Sequence, residues 1–170
     1  MSEQETTLHM TILMTPDMAN FSGKVHGGAI LKLLDQVAFA CAARYCRHYV
    51  VTLSLDQVTF NQAINVGELV SFRAHVNYVG RSSMEVGVKV IAEDLHTRKK
   101  RHTNSCYFTM VAVDDNGKPI PAPPLELKTE FERKLYEAAL MRKKMREEIT
   151  RRNKEITAGI PDYNQDVTNS

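Results

Sequence analysis

The fold is decided by residues 27–45, GGAILKLLDQVAFACAARY. Apolar side chains recur there every three or four residues, which is the periodicity of an α-helix. They are Ile30, Leu33, Leu34, Val37, Cys41 and Tyr45. The second half of the segment, residues 37–43, carries no charge on any face. Because a helix that is apolar all round is normally buried on all sides, we expect this helix to form the centre of the core.

The segments that follow the helix alternate apolar and polar side chains, which is the pattern of half-buried strands. They are residues 70–78, 84–90 and 105–113. The link at residues 79–83 contains the Gly and Ser that suit a hairpin loop, and Asp-Asn-Gly at residues 115–117 is a strong turn signal. Residues 48–60, HYVVTLSLDQVTF, change their apolar phase from odd to even positions, which predicts a β-bulge near Asp56 and Gln57.

This order predicts an α+β fold in which a curved antiparallel sheet wraps around one long helix. One thin sheet cannot cover every side of such a helix, which favours dimerisation. We expect three parts: a main domain at residues 1–126, an amphipathic helix at 127–156 and a disordered polar tail at 157–170. The amphipathic helix has one apolar stripe, expected to pack on the domain or on a neighbouring subunit. Its members are Phe131, Leu135, Ala138, Met141, Met145 and Ile149.

Composition excludes several classes of protein. The 170 residues carry a formal net charge of +2, too little to require nucleic acid or an anionic membrane as a partner. Three cysteines are too few and too irregular for a disulfide scaffold, and the first residues, MSEQETTLHM, do not resemble a signal peptide. We therefore expect a cytoplasmic protein. No apolar run approaches the ~20 residues of a membrane span.

Asp35 is the first candidate for chemistry. Its helical neighbours Leu31, Ala38 and Phe39 are apolar, so we expect its carboxylate to project into an apolar wall. A carboxylate in such a place serves either as a general base or nucleophile, or simply as the partner of Lys32 one turn back. Both interpretations stay open at this point.

The start of the helix is the second candidate. His26, Gly27 and Gly28 immediately precede or open it, and glycines let a ligand approach backbone N–H groups that lack helical partners. The partial positive charge there suits an oxyanion. The alternative is a tight turn that merely needs glycine. Asn20, a few residues earlier, is by itself more often a turn residue.

Basic residues form a third group, at residues 97–102, TRKKRH, between two predicted strands. Such a run is usually a solvated loop, although it could also hold phosphates. No cysteine or histidine pair has the spacing of a zinc site, and no phosphate-binding glycine motif or GxSxG motif is present. Cys41 and Cys46 are expected to be inert core residues.

Taken together, these motifs resemble a known family. Residues 20–35, SLDQVTF from Ser54, the strands from Asn65 and the segment SCYFTMVAVDDNGKPIPAP from Ser105 resemble the hotdog-fold acyl-CoA thioesterases of the group that includes YciA and the brain acyl-CoA hydrolase. The resemblance covers residues 9–124. It implies hydrolysis of fatty acyl-CoA to free acid and coenzyme A, without a metal or separate cofactor, and a hexamer built as a trimer of dimers with sites at the dimer interfaces.

The resemblance also implies roles for individual residues. Asp35 matches the catalytic carboxylate, and Asn20 matches the loop asparagine that acts with it across the interface. Gly27 and Gly28 match the turn that faces the thioester carbonyl, with His26 beside them. For the coenzyme A phosphates our own hypothesis names donors in two loops. They are Arg81, Ser82, Ser83, Arg98, Lys99 and Arg101.

Two other functions stay open on the sequence. Hotdog domains also serve as ligand-binding regulatory modules, so a non-catalytic acyl-CoA sensor is one alternative. A dehydratase that acts on hydroxyacyl thioesters is another, since such enzymes use a catalytic histidine and His26 is suitably placed. The pairing of Asn20 with Asp35 favours hydrolysis over both.

Overall fold

A five-stranded antiparallel sheet curls around one long helix, and a second long helix lies on the opposite side of the sheet. The computed structural model describes residues 4–161. The strands are β1 (Thr7–Leu13), β2 (Tyr49–Leu55), β3 (Leu69–Val79), β4 (Ser83–Glu93) and β5 (Lys100–Val113), and the helices are α1 (Gly27–Cys46) and α2 (Glu130–Ala158). The order across the sheet is β1-β3-β4-β5-β2, so β1 and β2 are its edges. The predicted α+β fold is confirmed.

The core lies between α1 and the concave face of the sheet. Strands β3, β4 and β5 direct alternate side chains toward the helix, as their period of two requires, and among these Phe72 and Phe108 are almost completely buried. From α1, Leu34, Val37 and Ala38 are fully buried against them. The hydroxyl of Tyr45, near the end of α1, donates to the Pro123 carbonyl oxygen at 2.8 Å and so fastens the proline-rich segment to the domain.

One expectation about α1 is wrong for the single chain: the helix is not buried on all sides. Lys32, Asp35 and Gln36 are exposed, and Phe39 and Ala40 on the same face are only half-buried. This open face lies beside the edge strand β2. The ring of Phe39 on α1 contacts the ring of Tyr49 on β2 at a centroid distance of 5.7 Å. The sheet covers α1 on one side and leaves the other free.

The predicted bulge exists, but it lies earlier in β2. The pairing register with β5 shifts between Thr52 and Ser54, so Leu53 is the extra residue, whereas we expected Asp56 and Gln57. In the sequence, the change of the apolar residues from odd to even positions comes a few residues after the bulge itself, and this displaced the prediction.

Helix α2 begins as the sequence predicts and extends further. Thr129 is the N-cap, and its side chain and that of Glu132 form a capping box. The helix continues to Ala158, so residues 157 and 158 are helical and not part of a disordered tail; residues 162–170 lie outside the described part of the chain. Only the first turns of the predicted stripe meet the sheet: the Phe131 ring contacts His75 on β3 at a centroid distance of 6.4 Å, and Leu135 and Ala138 are half-buried. The later members Met141, Met145 and Ile149 are exposed in the single chain.

Candidate active site

The N-terminus of α1 is capped by the side chain of His26. Its Nδ1 accepts the backbone N–H of Gly28 at 2.8 Å, while its carbonyl oxygen accepts from Ala29 and Ile30. A Cβ on Gly28 would lie only 3.1 Å from this Nδ1, so any larger residue there would crowd the capping imidazole. In the single chain the Gly28 N–H is therefore engaged in the cap, and its expected role toward an oxyanion stays a prediction. Within residues 4–161, the Gly27 N–H is the donor of the first turn that keeps no partner.

Asn20 organises the loop that precedes the helix. Its Oδ1 accepts from the N–H and hydroxyl of Ser22 at 2.9 and 2.7 Å and from the N–H of Lys24 at 3.1 Å. This is the turn role that we considered for an isolated asparagine. The side-chain amide oxygen is fully used by the loop, which leaves the Nδ2 group as the part of Asn20 that can meet a ligand.

Asn20 and Gly27 share one cleft. It has a volume of about 350 Å³, and its other walls include Phe60, Ile64 and the buried Asn104. A Cβ on Gly27 would lie 3.6 Å from the Phe60 ring, so this ring stands directly beside the free N–H of the helix. The structure thus combines a helix N-terminus, an amide group and an aromatic wall, which suits a polarised carbonyl carried by an apolar chain.

Asp35 lies elsewhere, on the open face of α1. Our expectation of a buried carboxylate is wrong for the single chain, because Asp35 is exposed, and no ion pair joins it to Lys32 in the described structure. Instead, the hydroxyl of Thr52 on β2 donates to its Oδ1 at 2.7 Å. Eight residues of helix separate Asp35 from Gly27, which is about 12 Å along the axis. The two halves of the predicted site are therefore apart within one subunit.

Thr52 was missed by the sequence analysis. It lies on a different element from Asp35, and nothing local marks it among the threonines of the chain. Its alternation with the apolar residues of β2 was the available signal, since Val50 and Thr52 share one side of the strand and Val50 faces the core.

The two predicted groups of phosphate donors lie at opposite ends of the sheet. Arg81 and its two serines connect β3 to β4, whereas Arg98 and Lys99 lie in the turn between β4 and β5. The eleven residues of β4 separate them by roughly 36 Å. Arg81 is exposed and has no side-chain partner within residues 4–161, while Arg98 pairs with Glu93 at 3.2 Å. A single set of donors is therefore not formed in one subunit.

Arg101, the remaining predicted donor, is committed to an internal contact. Its guanidinium pairs with both carboxylate oxygens of Glu68 and also donates to the Ala63 carbonyl oxygen at 2.7 Å. The hydrogen bonds from Arg101 lower the pKa of Glu68 from its usual value. Glu68 in turn accepts the Asn65 N–H at 2.7 Å. Arg101 thereby holds residues 63–68, of which Ala63 and Ile64 line the cleft.

A second groove, of about 360 Å³, lies on the outer face of the sheet. Arg73 on β3 and Lys89 on β4 are direct cross-strand partners there, and neither has an ion pair within residues 4–161. Phe131 and Tyr107 form its aromatic walls. Like charges directly opposite each other destabilise a sheet unless an anion compensates them. The sequence analysis did not single out this pair.

The three thiols do not provide a nucleophile. Burial raises the pKa of Cys41 and of Cys106 to about 12 and also raises that of Cys46. A thiol is reactive as its thiolate, so these cysteines are inert core residues, as expected for Cys41 and Cys46. Within residues 4–161, three or more potential metal ligands never come together, and neither helix has the length and apolar character that a membrane span requires.

Comparison with known proteins identifies the family. A model of the thioesterase superfamily matches residues 22–99. The protein VdlD of Helicobacter pylori is 57% identical over 141 residues, which are 83% of this chain and 80% of that protein. The chain belongs to the thioesterase superfamily. The resemblance to acyl-CoA thioesterases and the predicted hotdog fold are therefore confirmed.

Other members of the superfamily extend the likeness over most of the chain. An uncharacterised acyl-CoA thioester hydrolase of Bacillus subtilis, YkhA, is 35% identical over 92% of this chain and 91% of its own. The crystal structure of a hexameric acyl-CoA thioesterase superposes with a TM-score of 0.82 at 37% identity, over 86% of this chain and 94% of that one. A Staphylococcus aureus acyl-CoA hydrolase bound to butyryl coenzyme A superposes with a TM-score of 0.78 at 30% identity, over 91% and 96%.

Proposed function

We propose that the protein hydrolyses acyl-CoA thioesters to free acids and coenzyme A. One observation carries the proposal: a hydrogen-bonded Asp35 on the open face of α1, in a chain whose relatives are named acyl-CoA hydrolases. Solved alanine variants of the Staphylococcus aureus enzyme replace an asparagine, an aspartate and a threonine, in the order and spacing of Asn20, Asp35 and Thr52 here. This agreement supports a joint role for the three residues.

In the reaction, a water oxygen bonds to the thioester carbon and the carbon–sulfur bond breaks. Asp35 either removes the proton of this water or attacks the carbon itself to form an anhydride that water then opens. Thr52 holds the carboxylate through its hydroxyl. The coenzyme A sulfur leaves as a thiolate and takes up the proton, so that acid and thiol are the products.

The free N–H of Gly27 stabilises the negative charge that develops on the carbonyl oxygen. A donor of this kind at a helix N-terminus is typically worth ~10² to 10³ in rate. Asn20 orients the carbonyl or the water through its Nδ2 group. His26 and Gly28 hydrogen-bond to each other, so we assign them the role of fixing the helix N-terminus that presents the Gly27 N–H.

The complete site requires two subunits. Asn20 and Gly27 belong to one cleft, whereas Asp35 lies about 12 Å further along α1, beside Thr52 of β2. Strand β2, beside Asp35, is a sheet edge whose exposed apolar side chains include Tyr49 at 64% and Leu53 at 67%. We therefore propose a dimer in which β2 and the open face of α1 meet a second copy, and a hexamer as in the named hexameric relative.

Arg81 is the first choice among the predicted donors for the coenzyme A phosphates. It is exposed and unpaired among the described residues, unlike Arg98 and Arg101. The basic pair Arg73 and Lys89 is a second choice, carried by its unpaired cross-strand charges. Loss of a phosphate contact that is equal in ground and transition states raises KM and leaves kcat unchanged. The variants Arg81→Ala and Arg73→Ala are each compared with Lys144→Ala, which removes an exposed cation of α2.

The experiment that tests the proposed function is the release of free thiol from acyl-CoAs of short to long chain. Wild type and Asp35→Ala are measured together, with size-exclusion traces of both. We expect hydrolysis by the wild type and a loss of ~10² to 10⁴ in kcat in an intact Asp35→Ala oligomer. Binding of acyl-CoA without hydrolysis would favour the regulatory module, and hydration of an enoyl-CoA would favour the dehydratase.

A further inference from the structure

Helix α2 is attached to the sheet by a network of charges. The carboxylate of Glu85 on β4 is only 1% exposed, and Arg142 donates to both of its oxygens, with a shortest distance of 2.6 Å. Arg146, one turn further, donates to Glu85 Oε2 at 3.2 Å. Asn77 adds a hydrogen bond at 3.1 Å. A carboxylate this deeply buried requires such compensation, so it is the charged face of α2 that meets the sheet at Glu85.

The two arginines have different second partners. The guanidinium of Arg142 lies over the ring of Tyr107 on β5, 3.7 Å from the ring centroid, in a cation–π contact. Arg146 instead reaches Asp56 and donates to its Oδ2 at 2.8 Å. Both side chains of this second pair are about four-fifths buried, at 22% and 21% exposure, so solvent weakens the attraction less than at an open surface.

Asp56 lies at the junction of the two halves of the candidate site. It follows the end of β2, four residues after Thr52 and four residues before Phe60. Its backbone N–H bonds to the Tyr107 carbonyl oxygen at 3.0 Å, which fixes the main chain there. Upstream, Thr52 holds Asp35; downstream, Phe60 stands against Gly27. Asp56 thus connects the strand that carries Thr52 with the loop that carries Phe60.

We infer that Arg146 is a positioning residue, which through its ion pair with Asp56 sets the geometry of the strand and loop that carry Thr52 and Phe60. Arg142 alone can satisfy Glu85, since it reaches both carboxylate oxygens. The second arginine is explained by Asp56. Because small displacements of catalytic groups reduce rate strongly, the pair acts on kcat more than on substrate binding. The expected effect on kcat rests on the proposed function, since it requires that the protein hydrolyses acyl-CoA.

The test compares Arg146→Ala and Asp56→Asn with the matched control Arg142→Ala in the full-length protein. Thiol release gives kcat and KM, and hydrogen–deuterium exchange follows the peptide that contains residues 52–64. We expect a fall in kcat of about tenfold in both test variants, with KM changed by less than about twofold, and faster exchange in this peptide. Arg142→Ala retains kcat and exchange in this peptide, although it loses thermal stability. The double variant Asp56→Asn/Arg146→Ala is no slower than either single variant.

Several results would overturn the inference. Equal effects of Arg142→Ala and Arg146→Ala on kcat and exchange would mean that α2 only stabilises the domain. Unchanged hydrogen–deuterium exchange of residues 52–64 in Arg146→Ala would mean that α2 does not position the site. If Arg146→Ala does not fold, the milder Asp56→Asn decides. A wild-type protein without thioesterase activity would reject the proposed function, and the exchange data would still show whether Arg146 holds residues 52–64.

Discussion

His26 is the residue whose role the structure changes most. It caps α1, and a side-chain cap is worth about 1 kcal/mol, so we expect His26→Ala to lower the free energy of unfolding by about that amount. Asparagine is itself a strong N-cap, so His26→Asn should retain most of the stability. Chemical denaturation measures both, and thiol release shows whether kcat follows the cap. A large loss of kcat in a fully stable His26→Asn protein would mean that the imidazole contacts the substrate.

Thr52 supports the second prediction at this scale. Removal of its hydroxyl frees the exposed Asp35 carboxylate to adopt other rotamers, so Thr52→Val should lower kcat about tenfold at similar KM. Thr52→Ser keeps the hydroxyl and is the matched control, for which we expect nearly wild-type kcat. Steady-state kinetics on one acyl-CoA decides. Equal losses in the two variants would assign the effect to packing of the threonine methyl group.

Local sequence predicted residue types better than it predicted their surroundings. Asp35, Asn20 and the glycines stand out by their position at the start of α1 or on it. Burial of Asp35 was inferred from its neighbours on the helix, and that inference fails because the sheet covers one side of α1 only. One hydrogen bond of His26 engages the Gly28 N–H and so leaves Gly27 as the donor without a partner among the described residues of the first turn. Thr52 meets Asp35 only through the fold. The residue spacing within α1 or within β2 does not reveal these contacts, because each depends on the three-dimensional arrangement.

At the scale of elements, periodicity determined the fold correctly because each strand and helix has a clear core-facing side. The helix, strands β3 and β4 and the link between them lie where the pattern predicts, whereas β5 begins at Lys100, so that residues 100–102 of the basic run lie in a strand and not in a loop. For α2 the same rule held only in the first turns, where Phe131 and Leu135 meet the sheet. Its apolar stripe is regular, but Glu85 on the sheet is buried and needs cations, which the stripe cannot supply. The pattern of one element cannot report the charge of the surface that receives it.

The loop at residues 63–68 gives a prediction that depends on pH. Arg101 lowers the pKa of Glu68, so the folded protein binds a proton there less readily than the unfolded chain. The resulting stability is fully present at neutral pH, where Glu68 is ionised in both states. It decreases as the pH falls below the unfolded value of about 4.3 and is lost once the pH passes the lower folded value.

Glu68→Gln removes this titration. We expect a lower free energy of unfolding at pH 7 than in the wild type, by about 2 kcal/mol for a hydrogen-bonded charge, and a smaller decrease on acidification. Urea denaturation across the acidic range measures the difference. Glu126→Gln, at an exposed position, serves as the control. Parallel curves for wild type and Glu68→Gln would show that the pair with Arg101 does not stabilise the loop.

For the whole molecule, the exposed apolar surface of β2 indicates assembly. Edge strands of this kind pair with other chains unless charges prevent it. We therefore expect Leu53→Lys to dissociate the dimer and to abolish thiol release, whereas Met145→Lys, on the stripe of α2, leaves the dimer intact. Light scattering after size exclusion gives the masses. A Leu53→Lys protein of unchanged mass would place the dimer contact elsewhere.

A site shared between subunits makes a stronger prediction, because two inactive variants should complement each other. Asn20→Ala and Asp35→Ala are coexpressed with different tags. In a mixed dimer one site receives both alanines, and the other receives an intact Asn20 from one subunit and an intact Asp35 from its partner. Random pairing of such two-fold dimers gives about a quarter of the wild-type activity, whereas each variant alone is inactive. Coexpression of Asp35→Ala with Asp35→Asn restores nothing and is the control. If the Asn20 and Asp35 variants also fail to complement in a purified mixed dimer, each site lies within one subunit, and the 12 Å between its halves along α1 must be closed by the substrate instead.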